Sequence, residues 1–322
     1  MINLPDPDLQ IVFSKRLLEA RKAFLQPAVL AAIGDSDITA LDEEVHAFVP
    51  SDGLRRVAKH GLRAELVFAV PSILQRNPRL LGYYRLLLGF SRKAFYRKET
   101  GLSAFDKVED TGNLNDTQEK LLPDLCRELN KRAAFLIAHV VDLSAEHVDD
   151  LSLLTFGPQL RGERNVGLGA TAVQEVFAAI REIIGPHATK VSDRLIEFKD
   201  ATGRIVKVRF GSDPDITVAS VSRSTITEDP LLAIEVKGGT DVSNAHNRLG
   251  EAEKSHLKAK ANGYTDLWTI TNVAGLSDGI RRRESPTTTA FYDLRDIMGR
   301  QGEAYEDFRE KLLQKLRLPA SS

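Results

Sequence analysis

Three side chains in one short stretch have the types and spacing for metal-assisted chemistry: Asp215, Glu235 and Lys237. Asp215 closes Ser-Asp-Pro-Asp (Ser212 to Asp215), and Glu235 and Lys237 lie in Ile-Glu-Val-Lys (Ile234 to Lys237). After Asp215, Ile216 and Val218 alternate with Thr217 and Ala219, while Leu231 to Val236 is apolar apart from Glu235, so both runs read as β-strands. Strand side chains alternate faces, which puts Glu235 and Lys237 on one face and Ile234 and Val236 on the other. If the two runs are sheet neighbours, Asp215 approaches Glu235. Two carboxylates with a nearby backbone carbonyl then make an oxygen-lined site of the kind Mg²⁺ accepts.

Phosphodiester hydrolysis asks for these residue types. It needs a nucleophile made from water near neutral pH and something to offset the charge building on the phosphate, and a bound divalent ion supplies both. Taken alone, Glu-X-Lys also reads as an acidic turn followed by a strand bearing a surface Glu and Lys. Pro214-Asp215, nineteen intervening residues and then Glu235-Val236-Lys237 together resemble the catalytic motif of the PD-(D/E)XK nucleases. That resemblance implies that Asp215 and Glu235 hold Mg²⁺, that the Val236 carbonyl adds a ligand, and that Lys237 orients or helps deprotonate the attacking water.

The elements that must position these residues belong to a chain of 322 residues, 42% hydrophobic and 28% charged, which is ordinary globular composition. No window approaches eighteen consecutive apolar residues, and the acidic, proline-bearing Met1 to Gln10 lacks the features of a leader, so neither export nor membrane insertion is expected. The single cysteine, Cys126, excludes an intramolecular disulfide and a cysteine metal cluster, and a reducing cytoplasm fits. A net charge of −1 does not advertise a nucleic-acid binder, yet the basic residues bunch at Arg92 to Lys98, Arg161 and Arg164, Lys254 to Lys260, and Arg281 to Arg283.

Residues 1–155 read as mostly helical, with helices expected over Phe13 to Ile33, Gly53 to Val70, Leu80 to Phe95 and Glu119 to Val140, and a short one from Ser144. A loop rich in glycine and arginine is expected from Phe156 to Gly169, and a helix from Ala170 to Ile184. Strands are then expected at Arg194 to Phe198, Ile205 to Phe210, Asp215 to Val221 and Leu231 to Lys237, followed by a polar helix over Asn244 to Asn262. Further strands at Asp266 to Thr271 and Ala290 to Leu294 precede a closing helix at Tyr305 to Leu316. This order predicts an α/β fold, a mixed sheet flanked by helices over 156–322 with a mostly helical region before it. The same order is similar to the restriction-endonuclease-like core, which implies Glu175 as a further candidate metal carboxylate. As a helix residue it also reads as an exposed glutamate.

The segment leaving the second strand is unusually polar. Gly238 and Gly239 let the backbone pass close to a bulky partner, and Asp241, Asn244, His246, Asn247 and Arg248 offer the donors and acceptors used on base edges. Arg161 and Arg164 suit a phosphate backbone. Leu80 to Ser91, Gly157-Pro158-Gln159-Leu160-Arg161-Gly162, and Glu235 to Asp241 followed by Asn244 to Arg248 together resemble the XcyI-type group of type II restriction endonucleases. The resemblance implies a homodimer that cleaves a palindromic DNA duplex with Mg²⁺, at CCCGGG after the first C. A nuclease of the same core acting on mismatched, branched or modified DNA, or a DNA-binding protein without catalysis, are the alternatives. The latter would lack one of Asp215, Glu235 and Lys237, and all three are present.

Overall fold

The structure is a computed structural model and describes residues 6–221, 227–239, 245–273 and 277–319. The chain divides into two compact units, 1–163 and 164–322.

The first unit is helical: α1 (Asp8–Ala23), α2 (Gln26–Gly34), α3 (Ile38–Phe48), α4 (Ser51–Lys59), α5 (Pro71–Arg76), α6 (Leu80–Leu87), α7 (Arg92–Phe95), α8 (Val108–Thr111), α9 (Asp116–His139) and the start of α10 (Ala145–Ile184). Several expected single helices are broken, each for a local reason. Phe13 to Ile33 divides at Leu25, because Pro27 has no N–H to give and sits in the first turn of α2. Leu80 to Phe95 divides at Gly89, whose φ of +77° is left-handed, and Ser91 then caps α7 by accepting from the Ala94 N–H. Gly53 to Val70 is helical only as far as Lys59 in α4 and in a 3₁₀ turn at Ala64–Leu66. Helix α3 was not anticipated.

Within this unit Arg85 is fully buried. Its guanidinium donates to both Glu109 oxygens at 2.6 and 2.9 Å, to Gln159 Oε1 at 2.9 Å and to the Phe90 carbonyl at 2.6 Å, while the Tyr96 hydroxyl donates to Glu109 at 2.5 Å. Two of the sequence segments that carry the family resemblance, Leu80 to Ser91 and Gly157 to Gly162, are thus joined through Arg85 and Gln159.

The expected loop from Phe156 to Gly169 is not a loop, since these residues are part of α10. Phe156 and Leu160, one turn apart, are buried with Ala20, Leu25 and Leu86, and further along Ala172, Val173, Val176 and Phe177 are buried against the sheet. Apolar residues at helical spacing on both sides of the glycines outweigh a helix penalty of about 1 kcal/mol for each exposed glycine.

The second unit is built on seven strands in spatial order β1 (Ala188–Val191), β2 (Leu195–Lys199), β3 (Ile205–Phe210), β4 (Ile216–Val221), β5 (Glu228–Lys237), β6 (Asp266–Thr271) and β7 (Ala290–Asp293). Neighbours are antiparallel from β1 to β5 and parallel from β5 to β7, a mixed α/β sheet as expected. The short edge strand β1 was not anticipated. One face buries Ile216, Val218, Leu232, Ile234, Val236, Trp268 and Ile270 with α10 and the closing helix; the other buries Ala233 and Leu267 against Ala259. Ala259 belongs to α11 (Ala245–Ala261), which is followed by α12 (Asp278–Glu284), α13 (Leu294–Gly299) and the closing α14 (Glu303–Leu316). Among the described residues no helix is long and apolar enough to cross a membrane.

Candidate active site

The pairing of β4 with β5 brings the first two residues together. Ile216 lies opposite Ile234 in an antiparallel register, so Asp215, one residue before, falls opposite Glu235, one residue after. Because Ile216 and Ile234 are buried on the face covered by α10, Asp215, Glu235 and Lys237 take the face covered by α11. The Val236 N–H donates to Asp215 Oδ2 at 2.8 Å, and Lys237 Nζ donates to Glu235 Oε1 at 2.7 Å. In a ladder the N–H and C=O of one residue face the same neighbouring strand, so the Val236 carbonyl is turned toward Asp215 as well. Gly211 closes the turn that presents Asp215: its N–H donates to the Asp215 carbonyl at 2.7 Å, and a Cβ there would stand 2.9 Å from the Pro214 carbonyl oxygen.

Helix α11 covers this strand end with a polar stripe. Its residues Arg248, Glu251, Ser255 and Lys258 recur at intervals of three and four, one face of a helix. Arg248 meets Gly239, where a Cβ would lie 2.0 Å from the guanidinium; Glu251 is 3.9 Å from Lys237 Nζ; Ser255 donates toward Glu235 Oε2 and Asp213 Oδ1, each at 2.7 Å; and Lys258 pairs with Asp213 at 2.5 Å. Four residues of helix advance about 6 Å and two residues of strand about 6.6 Å, which is why the two periods stay in step along this contact.

Glu235 is 5% exposed, and the site is correspondingly strained in charge. Burial and then the nearby Glu235 carboxylate push Asp215 up to about 6, against the opposing pull of the Val236 N–H and the Lys237 ammonium. Asp213 goes the other way, held below the usual carboxylate range first of all by its hydrogen bond from the Lys258 ammonium. Beside Ser255, the buried His256 places Nε2 2.8 Å from Thr269 Oγ1, and desolvation lowers its pKa. Among the described residues no group of three or more His, Cys, Asp or Glu side chains is close enough to hold a metal ion. Among the described residues, Asp215, Glu235 and the Val236 carbonyl offer oxygens toward one another.

The other sequence candidates are dispersed. Glu175, on α10, is not brought to Asp215 and Glu235; it faces Arg300, whose Nη2 is 3.5 Å from Glu175 Oε2. A cation from the loop after α13 reaches that face of α10, which the sequence order alone did not reveal. Asp241 and Asn244 lie outside the described residues. His246 and Asn247 are exposed in the first turn of α11, and His246 Nδ1 is 3.1 Å from Glu284. Arg248 is half-buried across Gly239, and Arg161 and Arg164 are exposed on α10. Sequence reasoning missed Asp213, Ser255 and Lys258 as parts of the site. The available signal was the spacing of Glu251, Ser255 and Lys258 on one face of a helix that follows a catalytic-type strand.

The chain also matches known proteins along nearly its whole length. The family model described as XcyI restriction endonuclease matches residues 14–319. The chain is 45% identical over 323 residues to the type II restriction enzyme XcyI of Xanthomonas campestris pv. cyanopsidis, covering 99% of this chain and 97% of the relative. It is 45% identical over 316 residues to the type II restriction enzyme Cfr9I of Citrobacter freundii, covering 97% and 96%.

Proposed function

Because this chain belongs to the XcyI restriction endonuclease family and is a type II restriction endonuclease, we propose that it hydrolyses both strands of the palindromic duplex CCCGGG after the first C, with Mg²⁺ held by Asp215, Glu235 and the Val236 carbonyl. The observation that carries this reading is the meeting of Asp215, Glu235 and Lys237 on one face of β4 and β5. The donor set fits a hard divalent cation, which takes oxygen ligands, and the burial and carboxylate repulsion that raise Asp215 are what a cation offsets. When bound, the cation supplies a nucleophile from water near neutral pH and stabilises charge on the phosphate.

The chain's own residues do the rest. Glu235 is fixed at Oε1 by Lys237, and a carboxylate retains further lone pairs after accepting those bonds. Lys237 has donors beyond the one given to Glu235, and these orient water or the scissile phosphate as charge develops. The segment Asp241 to Arg248, with Asn244, His246 and Asn247, reads base edges from the end of β5, and Arg161 and Arg164 contact phosphates. A palindromic site calls for a two-fold symmetric reader, so the enzyme acts as a homodimer on double-stranded DNA in the cytoplasm. The helical region 1–155 contributes DNA contact and dimerisation, and 156–322 carries the chemistry.

The test is digestion of a sequenced plasmid with Mg²⁺, mapping of the ends, and the same assay on Asp215→Ala and Glu235→Ala. Cleavage at CCCGGG by the natural enzyme and none by either variant, with site-specific binding retained, is the expected result. Cleavage elsewhere moves the specificity, fragments from nicked or branched DNA alone move the substrate, and Mg²⁺-dependent cutting by either variant removes the site.

A further inference from the structure

We propose that Ser255 is a positioning residue for cleavage, whose hydroxyl sets the orientation of the Glu235 carboxylate from helix α11. The inference rests on the reading of Glu235 as a metal carboxylate. Ser255 and Glu235 are 4% and 5% exposed, so no bulk water can substitute for their contact. A serine hydroxyl has one proton. Here two carboxylate oxygens stand 2.7 Å from Ser255 Oγ, one from Glu235 and one from Asp213. Asp213 has a second donor, the Lys258 ammonium at 2.5 Å on its exposed side. Among the described residues Glu235 Oε2 accepts from Ser255 and Glu235 Oε1 from Lys237. The proton is therefore better placed toward Glu235, which is then restrained at both oxygens by donors from two different elements.

Two restraints on two oxygens fix the plane of the carboxylate as well as its position, which one bond from Lys237 leaves free to rotate. Removing the hydroxyl has a second effect. Glu235 Oε2, buried, and Asp213 Oδ1, on a more exposed side chain, are left facing each other without a proton between them, and like charges repel. Glu235 then turns away from Asp213, and with it turns the face it offers to a cation. No residue of β4 or β5 supplies this restraint, so the site is completed only when α11 is seated on the sheet.

The experiment is Mn²⁺ binding to the full-length protein without DNA, read from loss of the free-ion electron paramagnetic resonance signal, on Ser255→Ala, Ser255→Cys and Ser255→Thr, with cleavage kinetics alongside. Ser255→Ala is expected to weaken Mn²⁺ binding about tenfold and to lower kcat similarly, with KM for cognate DNA within about twofold. Ser255→Thr keeps a hydroxyl and should recover most of both. Ser255→Cys fills the same space with a weak donor, so it should behave as Ala does and carries the test if the Ala variant fails to fold. Wild-type Mn²⁺ affinity in a folded Ala or Cys variant overturns the role. Glu235→Ala in the same series separates the two readings: if it binds Mn²⁺ and cuts as the natural enzyme does, the metal site itself is wrong, whereas loss there with unaltered Ser255 variants removes only the role of Ser255.

Discussion

Replacing Asp215 with Asn tests whether two carboxylates are held together against their own repulsion. Burial and the Glu235 charge raise Asp215 from an ordinary 3.8 to about 6, and a rise of about two units corresponds to about 3 kcal/mol. A carboxyl whose folded pKa lies above its unfolded one binds more protons in the folded state. Its contribution therefore favours folding at low pH and is lost as pH rises through the folded value. The natural protein without metal should lose up to about 3 kcal/mol between about pH 4 and pH 7 from this group. Asn keeps an acceptor for the Val236 N–H and does not titrate, so Asp215→Asn should match the natural protein near pH 4 and exceed its stability by about 2–3 kcal/mol at pH 8. Trp268, the one tryptophan, is buried on β6 of the same sheet and reports its unfolding by fluorescence in urea with chelator present. Added Mg²⁺ should then restore stability to the natural protein by mass action and leave the variant unmoved. A difference between the two proteins that is constant with pH, or that grows toward acid, refutes the account of the site.

Lys237→Ala should slow cleavage by roughly 10²-fold or more at unchanged folding and cognate affinity, measured in single-turnover reactions; a rate within a few-fold of natural makes the lysine a surface residue. Arg85→Leu strands the Glu109 carboxylate in the helical unit and should cost about 3–5 kcal/mol, followed by far-ultraviolet circular dichroism in urea; a loss below about 1 kcal/mol means that the network is not what holds α6, α8 and α10 together. Asp241→Ala and Arg248→Ala should each reduce discrimination between cognate and scrambled duplexes by about 1–3 kcal/mol, while Arg161→Ala should weaken binding to both alike and lower the salt slope by about one. An unchanged cognate-to-scrambled ratio in the first two transfers base reading to another segment, with the basic stretch Arg92 to Lys98 the next to test.

The sequence by itself determined the parts of this protein that depend on short-range pattern. Alternation placed β3 and β6 at their observed bounds and put Glu235 and Lys237 on the face opposite Ile234 and Val236, because a period of two needs only neighbouring residues to be read. Prolines and glycines were harder to weigh. The glycines at 162, 167 and 169 suggested a loop, yet Phe156 and Leu160 bury themselves at helical spacing and continue α10 through them. Pro27 and Gly89 did break helices that periodicity alone would have joined. What only tertiary structure decided was partnership across the chain. The register of β4 on β5 sets Asp215 against Glu235, Arg300 claims Glu175 from over a hundred residues away, and α11 lays Ser255 and Lys258 over Glu235 and Asp213. Residue type and spacing can name the groups that hold a metal, because their chemistry is intrinsic. Which neighbours orient them depends on which helix face the sheet receives, and that is fixed by burial summed over the whole core.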